Sequence, residues 1–311
     1  MDNDFPKPGN EKSIEMSFLR PPILRASTKL DRALFAKTVN LAAASVKDNK
    51  NIAKYRKALD KNADLLHASR LSPIVPDPDQ NLAAKGKKCL LLRPSISAKS
   101  SETWSSAIQD AVKYGELEII PYELRLGYNY WGYHDVLSSL LPKEMEDDMP
   151  SGFNTAGHVA HLNLRDHHLP YKKLIAQVLI DKNPHIRTVI NKIDNVGFDS
   201  EFRTFNYEVL AGPDDMDVEV HEGDCVFRFD YSKVYWNSKL ETEHRRLIGL
   251  FKPGEVVCDV MAGIGPFAVP AGKKGVFVWA NDYNPASYDY LKEAIDRNKV
   301  RPSCRTLARH V

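Results

Sequence analysis

Hydrophobic and polar positions divide the chain into three stretches of different character. From Asp31 to about Ala68, Leu34, Val39, Leu41, Ile52, Leu59, Leu65 and Leu66 supply one apolar face, and the spacing predicts a helical region. Cys89–Leu92 is a short continuous apolar run, which predicts a buried strand. Glu102–Tyr114 has helical spacing with Ser101 placed to cap it, and Leu117–Ile120 predicts another strand. Trp131–Leu141 predicts a helix stopped by Pro142. Residues 29–145 therefore form a small α/β domain. Residues 1–28 carry Pro6, Pro8, Pro21 and Pro22 and read as extended.

The acidic run Glu144–Ser151 ends in Met-Pro-Ser-Gly and marks a boundary. Beyond it, residues 152–239 read as an α+β domain. Val159–Leu164 and Thr188–Ile193 are strands, and Tyr171–Asp181 is a helix. Phe205–Leu210, Val218–Val220 and Cys225–Tyr231 read as one antiparallel set, joined by turns at Gly212-Pro-Asp-Asp and Glu222-Gly-Asp. The third stretch, 240–311, opens with a helix over Leu240–Phe251 that Lys252-Pro-Gly254 ends. Two apolar runs follow, Val256–Asp259 and Val276–Ala280, and they predict two parallel strands. A two-stranded sheet is marginal by itself. The expected class is α/β: a small α/β domain, an α+β domain and an incomplete doubly wound, Rossmann-like domain.

Composition narrows this only a little. The chain has 311 residues, 43% hydrophobic and 27% charged, which fits a globular protein of two or three domains. No apolar run reaches membrane-spanning length. A net charge of +2 does not by itself announce a nucleic-acid partner. Any such surface must come from local clusters such as Lys85-Gly-Lys-Lys88, Lys172-Lys173, Arg245-Arg246 and Lys273-Lys274. The four cysteines, Cys89, Cys225, Cys258 and Cys304, lie far apart and read as buried thiols in a reducing compartment. His158, His161, His167 and His168 crowd together without the Cys or Glu spacing of a zinc site, so no metal is expected. Acidic residues in 1–15 do not suit a mitochondrial presequence, whereas the basic segment after Met16 reads as a targeting segment or a basic linker.

The chemistry concentrates in Asp259-Val-Met-Ala-Gly-Ile-Gly-Pro-Phe-Ala-Val-Pro270 and Ala280-Asn-Asp-Tyr-Asn-Pro285. Gly263 and Gly265 allow a sharp turn after the first strand and close approach to a ligand. Asp282, at the tip of the second strand, is placed to take the two hydroxyls of a ribose. The third glycine of the dinucleotide fingerprint is missing, and the wording resembles the first motif of S-adenosylmethionine-dependent methyltransferases. With Asn-Asp-x-Asn-Pro after it and Asn298-Lys-Val300 beyond, the chain resembles the eukaryotic and archaeal tRNA (guanine-37-N1)-methyltransferases. The resemblance runs back through Lys233–Arg246, Phe202–Gly212, Thr188–Ile193 and His158–Arg165.

That resemblance implies methyl transfer from S-adenosylmethionine to N1 of guanosine 37 in tRNA. It makes Glu243 the general base, Arg203 the partner of guanine O6 and Tyr235 a wall of the guanine pocket. It assigns His244, Asp259, Gly263, Gly265, Asp282 and Tyr283 to the cofactor, and residues 29–145 to tRNA recognition. It further implies a monomer with no membrane association, cytoplasmic with mitochondrial-matrix and nuclear pools. By spacing alone, Glu243 reads instead as a helix-surface carboxylate paired with a cation one turn on, such as Arg246.

Asn284 and Pro285 read as the cap and first residue of a helix. The family continues with further strands and an Asn-Pro-Pro-type motif, and residues 301–311 do not match it. Two alternatives stand beside the methyltransferase: the wybutosine-pathway aminocarboxypropyl transferase, and a tRNA-binding remnant without catalysis. Gly265-Pro-Phe and Asp282-Tyr-Asn-Pro favour methyl transfer.

Overall fold

In the computed structural model, residues 19–25, 27–193 and 201–306 are described. About two thirds of the expected extended or targeting segment, residues 1–28, therefore lies outside the described residues, as do residues 307–311. The chain gathers into two compact units, one of Met1–Arg25 and Asp31–Ser139, the other of Ala26–Leu30 and Leu140–Val311.

The first unit is built on a four-stranded antiparallel sheet. Its elements are β1 (Lys37–Val46), α1 (Ile52–Lys61), β2 (Ile74–Pro76), α2 (Gln80–Ala84), β3 (Lys88–Leu91), α3 (Ser106–Lys113), β4 (Leu117–Leu126) and α4 (Tyr133–Leu140). The strand order is β2-β3-β1-β4. The helical reading of Asp31–Ala68 is corrected here, because Lys37–Val46 is a strand and only Ile52–Lys61 is α-helix. β1 pairs along its whole length with β4 and also with β3. Leu41–Val46 is buried on both faces, and such continuous burial erases the period-2 signal. Ala42, Ala43 and Ala44 favour a helix in isolation, but central-strand pairing overrides that preference. The cap of the next helix also moves. Ser105, not Ser101, accepts a bond from the Ile108 amide at 3.3 Å.

The second unit continues with β5 (Phe153–Ala156), β6 (Val159–Leu162), α5 (Lys172–Lys182), β7 (Thr188–Lys192) and β8 (Tyr207–Ala211). These strands make a sheet in the order β5-β6-β7-β8, with β6 and β7 parallel. The hairpin β9 (Asp217–Glu222) and β10 (Cys225–Asp230) stands apart. The expected three-stranded antiparallel set is thus divided, since β8 joins β7 instead. The cause is the Gly212 turn. Gly212 has φ +82°, and a Cβ there would sit 1.9 Å from the Arg187 carbonyl oxygen. The chain is clamped against β7 at that point and then turns away.

The last elements are α6 (Glu241–Leu250), β11 (Val256–Asp259), α7 (Ala268–Lys273), β12 (Phe277–Ala280), α8 (Pro285–Arg297) and β13 (Cys304–Thr306). They form a parallel sheet in the order β11-β12-β13. The expected two strands are therefore three, and the third lies in a segment too short and polar to show a strand pattern. One face of this sheet is open. Val256, Phe277 and Trp279 are exposed, whereas Val278, Ala280 and Cys304 are buried. Cys258 is exposed too, so the buried-thiol reading holds for Cys89, Cys225 and Cys304 only. The hairpin and the parallel sheet share one apolar core that runs from Ala156 to Cys304. Asn298 at the end of α8 bonds both the amide and the carbonyl of Val226, which ties α8 to β10. The α/β class matches expectation.

Candidate functional site

Two concave regions of the second unit carry the candidate residues. The first is the carboxyl end of the parallel sheet, where ligands of open α/β sheets bind. The loop after β11 is pinned at both ends. The Asn281 amide donates to the Asp259 carbonyl at 2.9 Å, and the Ala262 amide donates to the Asn281 carbonyl at 2.8 Å. Gly263 has φ +55° with open space where a Cβ would stand. Gly265 has φ +98°, and a Cβ there would meet Leu291 at 2.7 Å and Val269 at 2.8 Å. The two glycines thus answer different needs: Gly263 leaves room in front of the loop, and Gly265 lets α7 and α8 close behind it.

Asp282 organises this corner. Its Oδ2 accepts the Gly263 amide at 2.8 Å, and its Oδ1 accepts the Asn284 amide at 2.9 Å. Asn284 caps α8 through the Ala286 amide at 3.0 Å, with Pro285 in the first turn, as its sequence position suggests. Its side-chain amide also reaches the Lys233 carbonyl at 2.8 Å and so binds this corner to the 231–239 segment. Burial pushes the Asp259 carboxyl up from its ordinary range. Asp259 Oδ2 and Asn281 Oδ1 are buried acceptors without a partner among the described residues. A ligand bearing hydroxyl, amino or cationic groups would satisfy them, and S-adenosylmethionine has all three.

Tyr283 is 73% exposed. Its hydroxyl donates to Glu201 at 2.8 Å, and its ring lies 5.7 Å from that of Phe202. His244 is buried on α6, where Nδ1 pairs with Glu222 of β9 and the ring stands edge-on to Phe267 at 4.6 Å. Glu222 went unnoticed in the sequence. It lies 22 positions from its partner at the end of β9, and nothing local marks the pairing.

The second region is a cavity of about 1140 Å³ between the β5–β8 sheet and the 231–239 segment. Arg203 and Tyr235 both line it, together with His161, Asn191, Lys192 and Lys239. Arg203 holds φ +55°, a left-handed conformation unusual for a non-glycine residue. The structure does not bring Glu243 to this lining. Glu243 sits on the exposed first turn of α6, where Arg246 grips both its oxygens at 2.7 and 2.8 Å. Those hydrogen bonds hold its carboxyl below the usual range.

His161 is buried between Asn154 and Tyr231, and burial pulls its imidazole down to about 4. Of the other crowded histidines, His167, His168 and Asp148 offer ligand atoms within 4.8 Å of one another. Yet both His168 nitrogens are engaged, by the Arg165 amide and the Asp148 carbonyl, and Arg165 also holds the Asp148 carboxylate at 2.6 Å. The group locks the turn before α5. Among the described residues, no helix is long and apolar enough to cross a membrane.

Comparison with known proteins finds clear relatives of this chain. A family model described as the TYW2 N-terminal domain matches residues 133–215, and one described as the TRM5/TYW2 methyltransferase domain matches 218–309. A Neurospora crassa protein named tRNA (guanine(37)-N(1))-methyltransferase is 63% identical over 97% of this chain and 65% of its own length. A Fusarium vanettenii protein of the same name is 62% identical over 94% of this chain and 63% of its own length. The chain thus spans slightly under two thirds of these relatives. Among solved structures, Trm5b from Pyrococcus abyssi is similar at TM-score 0.62 and 22% identity, covering 86% of this chain and 72% of that one. The aTrm5 of a complex with tRNALeu gives 0.64 and 22%, covering 86% and 75%. That likeness is one of fold. With the two family matches and relatives of this identity in hand, the chain belongs to the TRM5/TYW2 methyltransferase family.

Proposed function

We propose that this chain carries the working parts of a tRNA (guanine-37-N1)-methyltransferase that uses S-adenosylmethionine. The observation that carries the reading is the Gly-loop corner, with its Asp282 clamp and two unpartnered buried acceptors, in a chain 63% identical to a protein of that name. The relatives' name also favours methyl transfer over the aminocarboxypropyl alternative. S-adenosylmethionine would supply a methyl group already activated on a sulfonium, so the protein's task lies with the nucleophile. Guanine N1 bears a proton at neutral pH and must lose it before it can attack.

In this reading the corner holds the cofactor. Asp282 takes the ribose hydroxyls with its remaining lone pairs, and Tyr283 covers the adenine. Asp259, Gly263 and Gly265 shape the loop, and His244 bears on it from behind through Phe267. The cavity receives the extruded guanine. Tyr235 flanks the base, and Arg203 donates to O6, where negative charge builds as N1 is deprotonated. Glu243 accepts that proton. Its pairing with Arg246 is the resting state, and to act it must both release the guanidinium and move within reach of the cavity, whose lining it does not join at rest. A monomer in the cytoplasm, with mitochondrial-matrix and nuclear pools, accompanies this reading.

The test is transfer of labelled methyl to tRNA transcripts bearing G or A at position 37. Labelled N1-methylguanosine from the G transcript alone supports the assignment. Equal labelling of both transcripts, or label at another atom, contradicts it. In the same assay Glu243→Gln should abolish transfer while cofactor affinity stays within twofold, and retained turnover would remove Glu243 as the base.

A further inference from the structure

The lining of the cavity is one-sided in charge. Among the described residues it holds four cations, Arg165, Lys192, Arg203 and Lys239, and no Asp or Glu. Arg165 is neutralised by Asp148. Among the described residues, Lys192, Arg203 and Lys239 have no carboxylate partner. The nearby acid on β8, Glu208, is already taken by Lys172 with both oxygens and by Asn191. Lys192 is the half-buried member of the unpaired three. Its ammonium lies 3.9 Å from the centre of the Phe205 ring and 5.6 Å from that of Tyr231.

The two aromatic faces strip water from one side of this cation and steady it by cation–π attraction. They give it no counter-charge, and the other side faces the cavity. Burying an ammonium without an anion is costly. Accordingly, burial draws the Lys192 proton affinity below its ordinary value. A merely structural lysine would have a carboxylate or carbonyl within reach, and no such bond is present among the described residues. His161, neutral at physiological pH and close enough to feel both Lys192 and Lys239, adds no anion.

We propose that Lys192 is a phosphate-binding residue, its ammonium neutralising one phosphate of the RNA strand whose target base enters the cavity. The inference rests on the cavity being the RNA site and adds the anchor for the backbone beside that base. An ammonium is a compact point charge suited to phosphate, whereas the planar fork of Arg203 suits the edge of a base. Fixing the adjoining phosphate fixes how far the flipped nucleotide travels into the cavity, so Lys192 positions the target and takes no part in proton transfer.

The experiment is a salt titration of the 311-residue chain binding an anticodon stem-loop RNA with G37, for the unaltered protein, Lys192→Gln and Lys192→Arg. S-adenosylmethionine affinity is measured in parallel. Removing one phosphate contact should weaken RNA binding roughly tenfold at low salt. It should also make the plot of log affinity against log salt shallower by about 0.7, the share of one single-stranded phosphate. Lys192→Arg should restore both, and cofactor affinity should stay unchanged in all three. An unaltered salt slope in Lys192→Gln overturns the proposal, whatever happens to affinity, because lost packing alone changes affinity without changing slope. Loss of cofactor binding in Lys192→Gln, unrescued by Arg, assigns the residue to structure instead. If the unaltered chain binds no RNA, the RNA reading of the cavity fails and the proposal falls with it. Slope failure with RNA binding intact overturns Lys192 alone.

Discussion

The Gly-loop corner and the cavity belong to the same compact unit but are built with opposite signs. The corner gathers acceptors: Asp259, Asn281 and Asp282 stand at strand tips, two of them with a buried oxygen unpartnered. The cavity gathers donors and cations, with no carboxylate among the described residues of its lining. One suits a ligand rich in hydroxyl, amino and sulfonium groups, and the other suits a polyanion. Glu243 belongs to neither, since its charge is absorbed by Arg246 on the same helix. The difference teaches that binding chemistry is laid out in advance, whereas the proposed base is held in reserve behind an ion pair.

The largest expected effect tests how rigid the corner is. Gly265→Ala should destabilise the protein by about 2–4 kcal/mol, from the strain of a positive φ and the collision with Leu291 and Val269. Gly263→Ala, which meets open space, should cost about 1–2 kcal/mol. Denaturant unfolding of both variants checks this, and equal losses would mean that packing behind the loop does not matter.

The cavity offers a pH test. His161 is held near 4 in the folded chain against an ordinary value of 6.5, because burial disfavours its charged form. Between those values the unfolded chain binds the extra proton, so the stability is fully present above 6.5 and is lost as pH falls toward 4. The loss should reach up to about 3 kcal/mol. Urea melts from pH 7 to 4.5 should show this slope, and His161→Gln should flatten it. An unchanged slope would mean that His161 is not the group responsible.

At the corner again, Asp282→Ala should weaken cofactor binding by about 1.5–3 kcal/mol, the range of a hydrogen bond to a charged group. The smallest effect belongs to Glu243. Its pair with Arg246 is exposed, so Arg246→Met should leave stability nearly unchanged in a denaturant melt. The same change should let the Glu243 carboxyl rise toward its ordinary value, which carbon-detected NMR titration would read. A carboxyl that stays low would mean that another group restrains it.

The corner was largely legible in the sequence. Its motif is contiguous, and glycine, acid and cap positions follow from local backbone needs that Gly265, Asp282 and Asn284 meet within a few residues. Cavity chemistry was only half legible. Arg203 and Tyr235 came from resemblance, while Lys192 and His161, like the Glu222 partner of His244 behind the corner, depend on strands that meet only in three dimensions. The first unit misled for a different reason. Burial of both faces of β1 left an alanine-rich run without the alternation that marks a strand. β13 was missed because three residues cannot show a pattern, and only pairing with β12 reveals them.

The most direct test of the two-site account is a crossed set of affinities: S-adenosylmethionine and G37 stem-loop RNA, each titrated into Asp282→Ala and Lys192→Gln. The account predicts a diagonal result, with Asp282→Ala losing cofactor and keeping RNA, and Lys192→Gln losing RNA and keeping cofactor. Equal loss of both ligands in either variant, or no cofactor binding by the unaltered chain, would contradict it.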